Sequence, residues 1–330
     1  MRRPVTSLLL LVFSVATLYV ARPVRPPATV PVVALVQKVL PVPTVVVARP
    51  GGAYLVGEHQ AWQAGGTSTV DLKPTVLRWV DIPQPSGAGV WRLAELPNGH
   101  TLFGLGGPVY PRPERAQTLL LDPGTRHLYE VTGATMRGTD PPTAVAPTVQ
   151  VSGVRWAPTG QFAVIVGAGP DGMGLYRWSP QGGTTWLGAA PNVQQWAALA
   201  EPVVVTTTGD IWWVGHRRYA LHLTGATVSP GGIVLGFAGG DAVWWAAGHT
   251  ANLKVPGLPL ATPQFSSNGG AAAYVTQVGR ASELIVMSGR GVVASRALPG
   301  RQALAPGWIG RRVVIAVLSG SDRGTYLVSP

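Results

Sequence analysis

Beyond Pro31 the chain is a succession of short apolar runs, such as Val45-Val46-Val47, Val203-Val204-Val205 and Val313–Val317, each closed by Gly, Pro, Asn or Asp. Runs this short, rich in β-branched and aromatic residues, predict strands: such side chains lose χ1 freedom in a helix and suit a pleated surface. One segment is nearly duplicated. Gly209-Asp210-Ile211-Trp212-Trp213-Val214-Gly215-His216 returns as Gly240-Asp241-Ala242-Val243-Trp244-Trp245-Ala246-Ala247-Gly248-His249. Gly182, Gly215 and Gly248 follow one another at intervals of about 33 residues, a period expected of a stacked or radial β-repeat.

Read in order, the runs group into seven units, within a range of six to eight. They are Thr44–Leu72, about Val90–Gly133, about Val151–Gly188, about Val193–Gly225, about Ala226–Gly257, about Leu258–Gly300, and a last one from Gln302. The last has three strands where the others have four. Val32–Val36 is a strand-like run with no unit of its own. Completing the last unit with it would close a ring and cover an open edge. The expected fold is therefore all-β: a seven-bladed β-propeller over residues 32–330, preceded by one N-terminal hydrophobic helix. Two β-sandwich domains are the rival, but they leave the 33-residue spacing unexplained. Trp79–Ala88 reads as an irregular joint. Gly104–Ala116 and Ala134–Gln150 read as insertions, and loops on a rigid scaffold commonly carry recognition.

Three turns carry a family likeness: Trp156-Ala157-Pro158-Thr159-Gly160, Val228-Ser229-Pro230-Gly231 and Phe265-Ser266-Ser267-Asn268-Gly269. They resemble the Trp-Ser-Pro-Asp-Gly repeat of TolB-like (WD40-like, PD40) β-propellers. The likeness covers the third unit well and the second to seventh loosely, with Thr159 or Asn268 where the family has Asp. It implies a propeller that serves as a binding module or as a domain appended to an enzyme.

The N-terminus has its own pattern. Arg2 and Arg3 precede an uncharged apolar run, Val5–Ala21, closed by Arg22. This reads as an export segment over residues 1–22, a retained single-pass anchor or a signal peptide cleaved near Ser14-Val15-Ala16. The positive-inside rule then places the bulk of the chain outside the cytoplasm, held at the cell membrane or secreted after cleavage. Residues 23–31, with Pro23, Pro26, Pro27 and Pro31, form a semi-rigid spacer.

Composition narrows the chemistry. With no Cys, disulfides, thiolate metal sites and a lipoprotein anchor are excluded. The net charge is +11, from 25 Lys and Arg against 14 Asp and Glu. Positive charge favours anionic lipid, cell-wall polymer or acidic partners. Without a run of five basic residues, nucleic acid is a poor partner. No catalytic residue, cofactor or metal ligand set is expected. Gly167–Gly172 matches G-x-G-x-x-G, but Pro170 and the following strand make it a hairpin, not a dinucleotide loop. His216 and His249 lack convergent carboxylates. Each Trp pair should face neighbouring blades, with sugar stacking as the functional alternative. Contact residues are expected on the first insertion, at Tyr110, Arg112 and Arg115, and at a blade turn, at His216 and Arg217. The reading is a membrane-tethered extracytoplasmic propeller that binds or scaffolds a protein or cell-envelope partner. The alternatives are a carbohydrate- or lactone-active propeller enzyme and an anionic-polymer binder.

Overall fold

Unbroken apolar runs form strands buried on both faces. Ala163–Gly169, Val234–Ala238 and Arg312–Val317 are buried at nearly every position, because the sheet each belongs to is packed on two sides. Strands farther from the middle of a sheet alternate or face solvent, as Gly183–Ala189 does. The computed structural model describes residues 36–329 except 42–43, 50–51, 58–59, 66–70, 114, 279–280 and 299–302. Segment 1–22 with its expected helix, spacer 23–31 and Val32–Leu35 lie outside the described residues.

The fold is an all-β β-propeller with eight blades, each an antiparallel sheet. The first strand, β1 (Val36–Leu40), belongs to the last blade. Blade one is β2 (Val45–Arg49), β3 (Gly52–Val56), β4 (Ala61–Gly65) and β5 (Asp71–Thr75). Blade two has three strands, β6 (Arg78–Pro83), β7 (Val90–Glu95) and β8 (Thr101–Leu105). Blade three is β9 (Val109–Pro111), β10 (Gln117–Leu121), β11 (Leu128–Thr132) and β12 (Thr143–Val145), with the one-turn helix α1 (Gly133–Met136) before its last strand. Blade four is β13 (Gln150–Trp156), β14 (Ala163–Gly169), β15 (Gly172–Ser179) and β16 (Gly183–Ala189). Blade five is β17 (Val193–Ala197), β18 (Val203–Thr206), β19 (Ile211–Trp213) and β20 (Arg218–Tyr219). Blade six is β21 (Thr224–Val228), β22 (Val234–Ala238), β23 (Asp241–Ala246) and β24 (His249–Leu253). Blade seven is β25 (Gln264–Phe265), β26 (Ala272–Val278), β27 (Ala281–Ser288) and β28 (Gly291–Ala297). Blade eight is β29 (Ala303–Ile309), β30 (Arg312–Val317) and β31 (Gly324–Val328), completed by β1. The chain divides into two compact units: Thr75–Ala220 holds blades two to five, and the segments on either side of it hold the other four.

Eight blades replace the expected seven. The unit read as Val90–Gly133 is two blades. The supposed joint contains β6, and the two supposed insertions contain β9 and β12. β9 and β12 are three residues each and flanked by Pro, too short to show a period of two. The 33-residue spacing holds between Gly215 and Gly248, which have positive φ in the turns that end the third strands of blades five and six; in blade four the positive φ falls on Gly183, one residue past Gly182, at the start of β16.

Within its own unit the last blade closes as expected, with a strand from ahead of blade one. β1 pairs antiparallel with β31 through Val36↔Val328, Lys38↔Tyr326 and Leu40↔Thr325. Its described part runs Val36–Leu40; the expected Val32–Val36 lies outside the described residues except at Val36. Gln37 and Lys38 interrupt the apolar run, but a blade's outer strand needs only one apolar face. Leu40 fills it, packing with Leu55, Val314 and Leu327, while Lys38 lies over the Tyr326 ring.

The repeat-like turns share one geometry. Ala157 N–H donates to Phe162 O (2.9 Å) and Gly160 N–H to Ala157 O (2.8 Å). Ser266 N–H donates to Ala271 O (2.9 Å) and Gly269 N–H to Ser266 O (2.8 Å). Gly160 and Gly269 both have φ near +70°, a conformation that strains any residue with a Cβ. The aromatic residue ahead of such a turn fastens its blade to the previous one. Trp156 Nε1 donates to Tyr110 O (2.9 Å), and Trp308 Nε1 to Gln264 O (2.8 Å). Trp308→Phe keeps the ring and orphans the Gln264 carbonyl. It should cost about 1–2 kcal/mol of unfolding free energy, measured by denaturant titration.

Blade three contains the clearest electrostatic turn. Asp122 Oδ1 accepts from the Gly124 and Thr125 amides at 2.8 and 3.3 Å. Burial pushes its pKa up, but the Ser86 hydroxyl and surrounding amides outweigh burial and leave it below the usual carboxylate range. A depressed folded pKa means that this stabilisation is complete above the unfolded pKa of about 4 and fades as pH falls through the folded value. Asp122→Asn should therefore lower Tm at pH 7 and have much less effect near pH 2, a contrast that calorimetry would register.

Candidate functional site

The named contact residues all fall in the Thr75–Ala220 unit. They form two separate groups, Tyr110, Arg112 and Arg115 at the first-to-second strand turn of blade three and His216 and Arg217 at the third-to-fourth strand turn of blade five. Blades three and four are joined at the first group because Arg112 Nε donates to Gly160 O at 2.6 Å. Blades four and five are joined because Arg177 donates to the Ala200 carbonyl.

The fold puts these residues to different uses. Arg112 is buried. Besides Gly160 it donates to the Gln117 side chain, and its guanidinium lies 5.1 Å from the Trp156 ring centroid. Burial lowers its pKa and nearby Arg115 adds to this, while Glu130 opposes both. Glu130 is correspondingly raised by burial and held back by Arg112. Tyr110, on β9, is half-buried against the cluster of Leu119, Ile165 and Trp178. Burial raises its pKa, with Arg126 and a hydrogen bond to the Val154 backbone acting the other way. Arg112 and Tyr110 thus cement blade three to blade four.

Arg115, His216 and Arg217 are exposed. His216 stacks on Trp213, centroids 3.7 Å apart at 25°, and its Nε2 donates to Glu201 Oε2 at 2.8 Å. Arg217 lies over Tyr219 at 4.7 Å, and Arg218 over Trp212 at 5.2 Å. Aromatic rings hold these guanidinium planes at the surface with their N–H groups available.

Arg155 and Arg177 were not among the sequence-derived candidates. Arg155 donates to Trp196 O at 2.7 Å and Gln195 Oε1 at 2.6 Å, beneath the Trp196 ring. Burial lowers its pKa. A signal existed in Arg155-Trp156 and Arg177-Trp178: adjacent strand residues point to opposite faces, so the Arg leaves its own Trp and reaches the neighbouring blade. The second of the duplicated Trp pairs serves packing. Trp244 meets Phe265 edge-on at 5.5 Å, and Trp245 is fully buried on the other face of β23. Gly167–Gly172 is the β14–β15 hairpin.

Among the described residues no three His, Asp or Glu gather as a metal site would require, and no helix is long and apolar enough to cross a membrane. The carboxylates are used locally. Asp81 pairs with Arg92, Glu95 with Arg78, Glu201 with His216 and Asp241 with Lys254, each inside one blade or just beyond its last strand.

No family model matches the chain, and no curated protein does. Solved structures do. The dihydro-heme d1 dehydrogenase NirN is similar at 14% identity and TM-score 0.50, over 92% of this chain and 78% of that one. TolB from Acinetobacter baumannii aligns at 14% identity and TM-score 0.35, over 78% of this chain and 63% of TolB, so the chain spans under two thirds of that neighbour. AztD from Citrobacter koseri aligns at 12% identity and TM-score 0.43, over 87% and 98%. At these identities the likeness extends to the fold alone.

Proposed function

We propose that the chain is a membrane-tethered, extracytoplasmic β-propeller that acts as a non-catalytic binding or scaffold module. The observation that carries this reading is the division of labour among charged groups. The carboxylates named above are taken up by partners close by, whereas Arg115 and Arg217 stand exposed on these turns of blades three and five. A propeller enzyme that holds a metal gathers acidic residues from several blades. A binding face needs outward donors on a rigid base, which Tyr219 supplies for Arg217. Such a face suits carboxylate-bearing partner surfaces. The apolar run Val5–Ala21 behind Arg2 and Arg3 supports the tether.

Two measurements test it. The full chain should stay with membranes through alkaline carbonate washing and be digested by protease added from the extracytoplasmic side. Release by carbonate, or protection from protease, would reject the tether. In-cell crosslinking should yield a partner adduct that Arg115→Glu with Arg217→Glu reduces about tenfold or more, since each reversal replaces attraction by repulsion. An undiminished adduct would reject these turns as the binding face.

A further inference from the structure

In the unit outside Thr75–Ala220, one end of blades six to eight carries an excess of arginine. β1 enters blade eight at Val36, which lies opposite Val328; Val328 in turn lies opposite Val313. The chain that precedes β1 therefore joins the sheet at the end bearing the Ile309-Gly310-Arg311-Arg312 hairpin. Blade seven shows the same end beside it. Trp308 Nε1 reaches Gln264 O just before the Ser266–Ala271 turn. The row Phe265↔Ala272↔Met287↔Val292 then leads to the Ser288-Gly289-Arg290-Gly291 hairpin. In blade six, Trp244 lies against Gly289, just short of the Ala246–His249 turn.

The turns at this end of blades six, seven and eight span residues 229–233, 246–249, 266–271, 288–291 and 309–312, and they contain no Asp or Glu. They contain Arg290 and Arg311, both exposed, and the half-buried Arg312. Beside them on β28, Val292 and Val293 are 39% and 64% exposed. At the opposite end, in and beside the β22–β23 and β30–β31 connections, Asp241 and Asp322 are balanced by Lys254, 2.8 Å from Asp241, and by the exposed Arg323.

We propose that this end of blades six to eight docks on an anionic phospholipid surface, the membrane into which the proposed tether inserts; the inference rests on that tether. Arg22–Leu35, between the apolar run and β1, spans at most roughly 50 Å even when fully extended. The spacer meets the sheet at this end, so docking here requires no passage of the chain along the blade. An acid-free, arginine-bearing end with exposed valines matches a negatively charged headgroup layer. The opposite end, where Asp241 and Asp322 are matched by Lys254 and Arg323, carries no such excess of positive charge.

Because the chain has no Cys, one introduced thiol is a unique labelling site. The full chain would be reconstituted into phosphatidylglycerol or phosphatidylcholine vesicles and labelled with an environment-sensitive fluorophore at Val293→Cys, or at Ser321→Cys in the opposite-end loop. Flotation reports the tether, and quenching by a headgroup-attached spin label reports docking. The expected result is flotation on both lipids, with strong quenching at position 293 on phosphatidylglycerol alone and weak quenching at 321. Arg290→Glu and Arg311→Glu should each shift the docked-to-free ratio about fivefold or more, and 0.5 M salt should suppress docking, as expected for roughly 1 kcal/mol per arginine near an anionic surface. Flotation with equal quenching at 293 and 321, or with quenching indifferent to lipid charge, overturns docking and leaves the tether standing. Failure to float on either lipid overturns both.

Discussion

Removing the chain up to Leu40 should leave the protein unable to unfold as one cooperative unit and prone to aggregate. β31 would lose its partner across the Val36–Leu40 register and present a bare strand edge. Leu40 would leave its cluster with Leu55, Val314 and Leu327. The buried Thr325 hydroxyl would lose its 2.9 Å hydrogen bond, because Thr44 would no longer be held beside it. Lost apolar burial, ladder bonds and the broken threonine hydrogen bond sum to roughly 5 kcal/mol. That is comparable to the whole stability of many domains. Scanning calorimetry should show a broadened transition at lower temperature, and light scattering should rise on storage. A single sharp transition at the full-length Tm would show that β1 is dispensable. The threonine pair offers a finer check. Thr325→Val alone strands Thr44 and should cost about 1–3 kcal/mol, whereas Thr44→Val with Thr325→Val should recover most of it.

Arg112→Ala should destabilise the Thr75–Ala220 unit by about 3 kcal/mol. The substitution removes the donor to Gly160 O, the contact with Gln117 and the cation over Trp156. It also leaves a void where a buried aliphatic stem packed. Arg112→Lys keeps the charge but cannot reproduce the planar fork, so it should recover less than half of the loss. Arg115→Ala, exposed on the same turn, should stay within about 0.5 kcal/mol of the parent. Denaturant unfolding of the three variants separates the roles, and equal losses for Arg112→Ala and Arg115→Ala would contradict them.

That contrast shows where sequence reading stops. Arg112 and Arg115 lie three positions apart on one Pro-rich loop and look alike as polar contact candidates. One is buried because β9 brings it beneath the turn of the next blade, at Gly160, which is 48 residues away in the chain. No local pattern encodes a contact at that separation. His216 and Arg217 were legible as turn residues, but the Glu201 partner and the Tyr219 platform come from the folded blade.

The residue pattern alone determined that the chain is all-β, that its units repeat about every 33 residues, that Gly turns close them, and that a strand ahead of the first unit completes the last. These follow from side-chain period and backbone conformation, which act over a few residues and leave their mark in composition. The blade count, the span of the closing strand and the division of arginines between mortar and surface were decided by tertiary structure. β9 and β12 are strands because neighbouring strands supply their hydrogen-bond partners, and three residues between prolines hold too little periodicity to announce it. The same holds for charge: whether an arginine faces a neighbouring blade or water depends on which blade lies beside it, a relation that exists only once the sheets are packed.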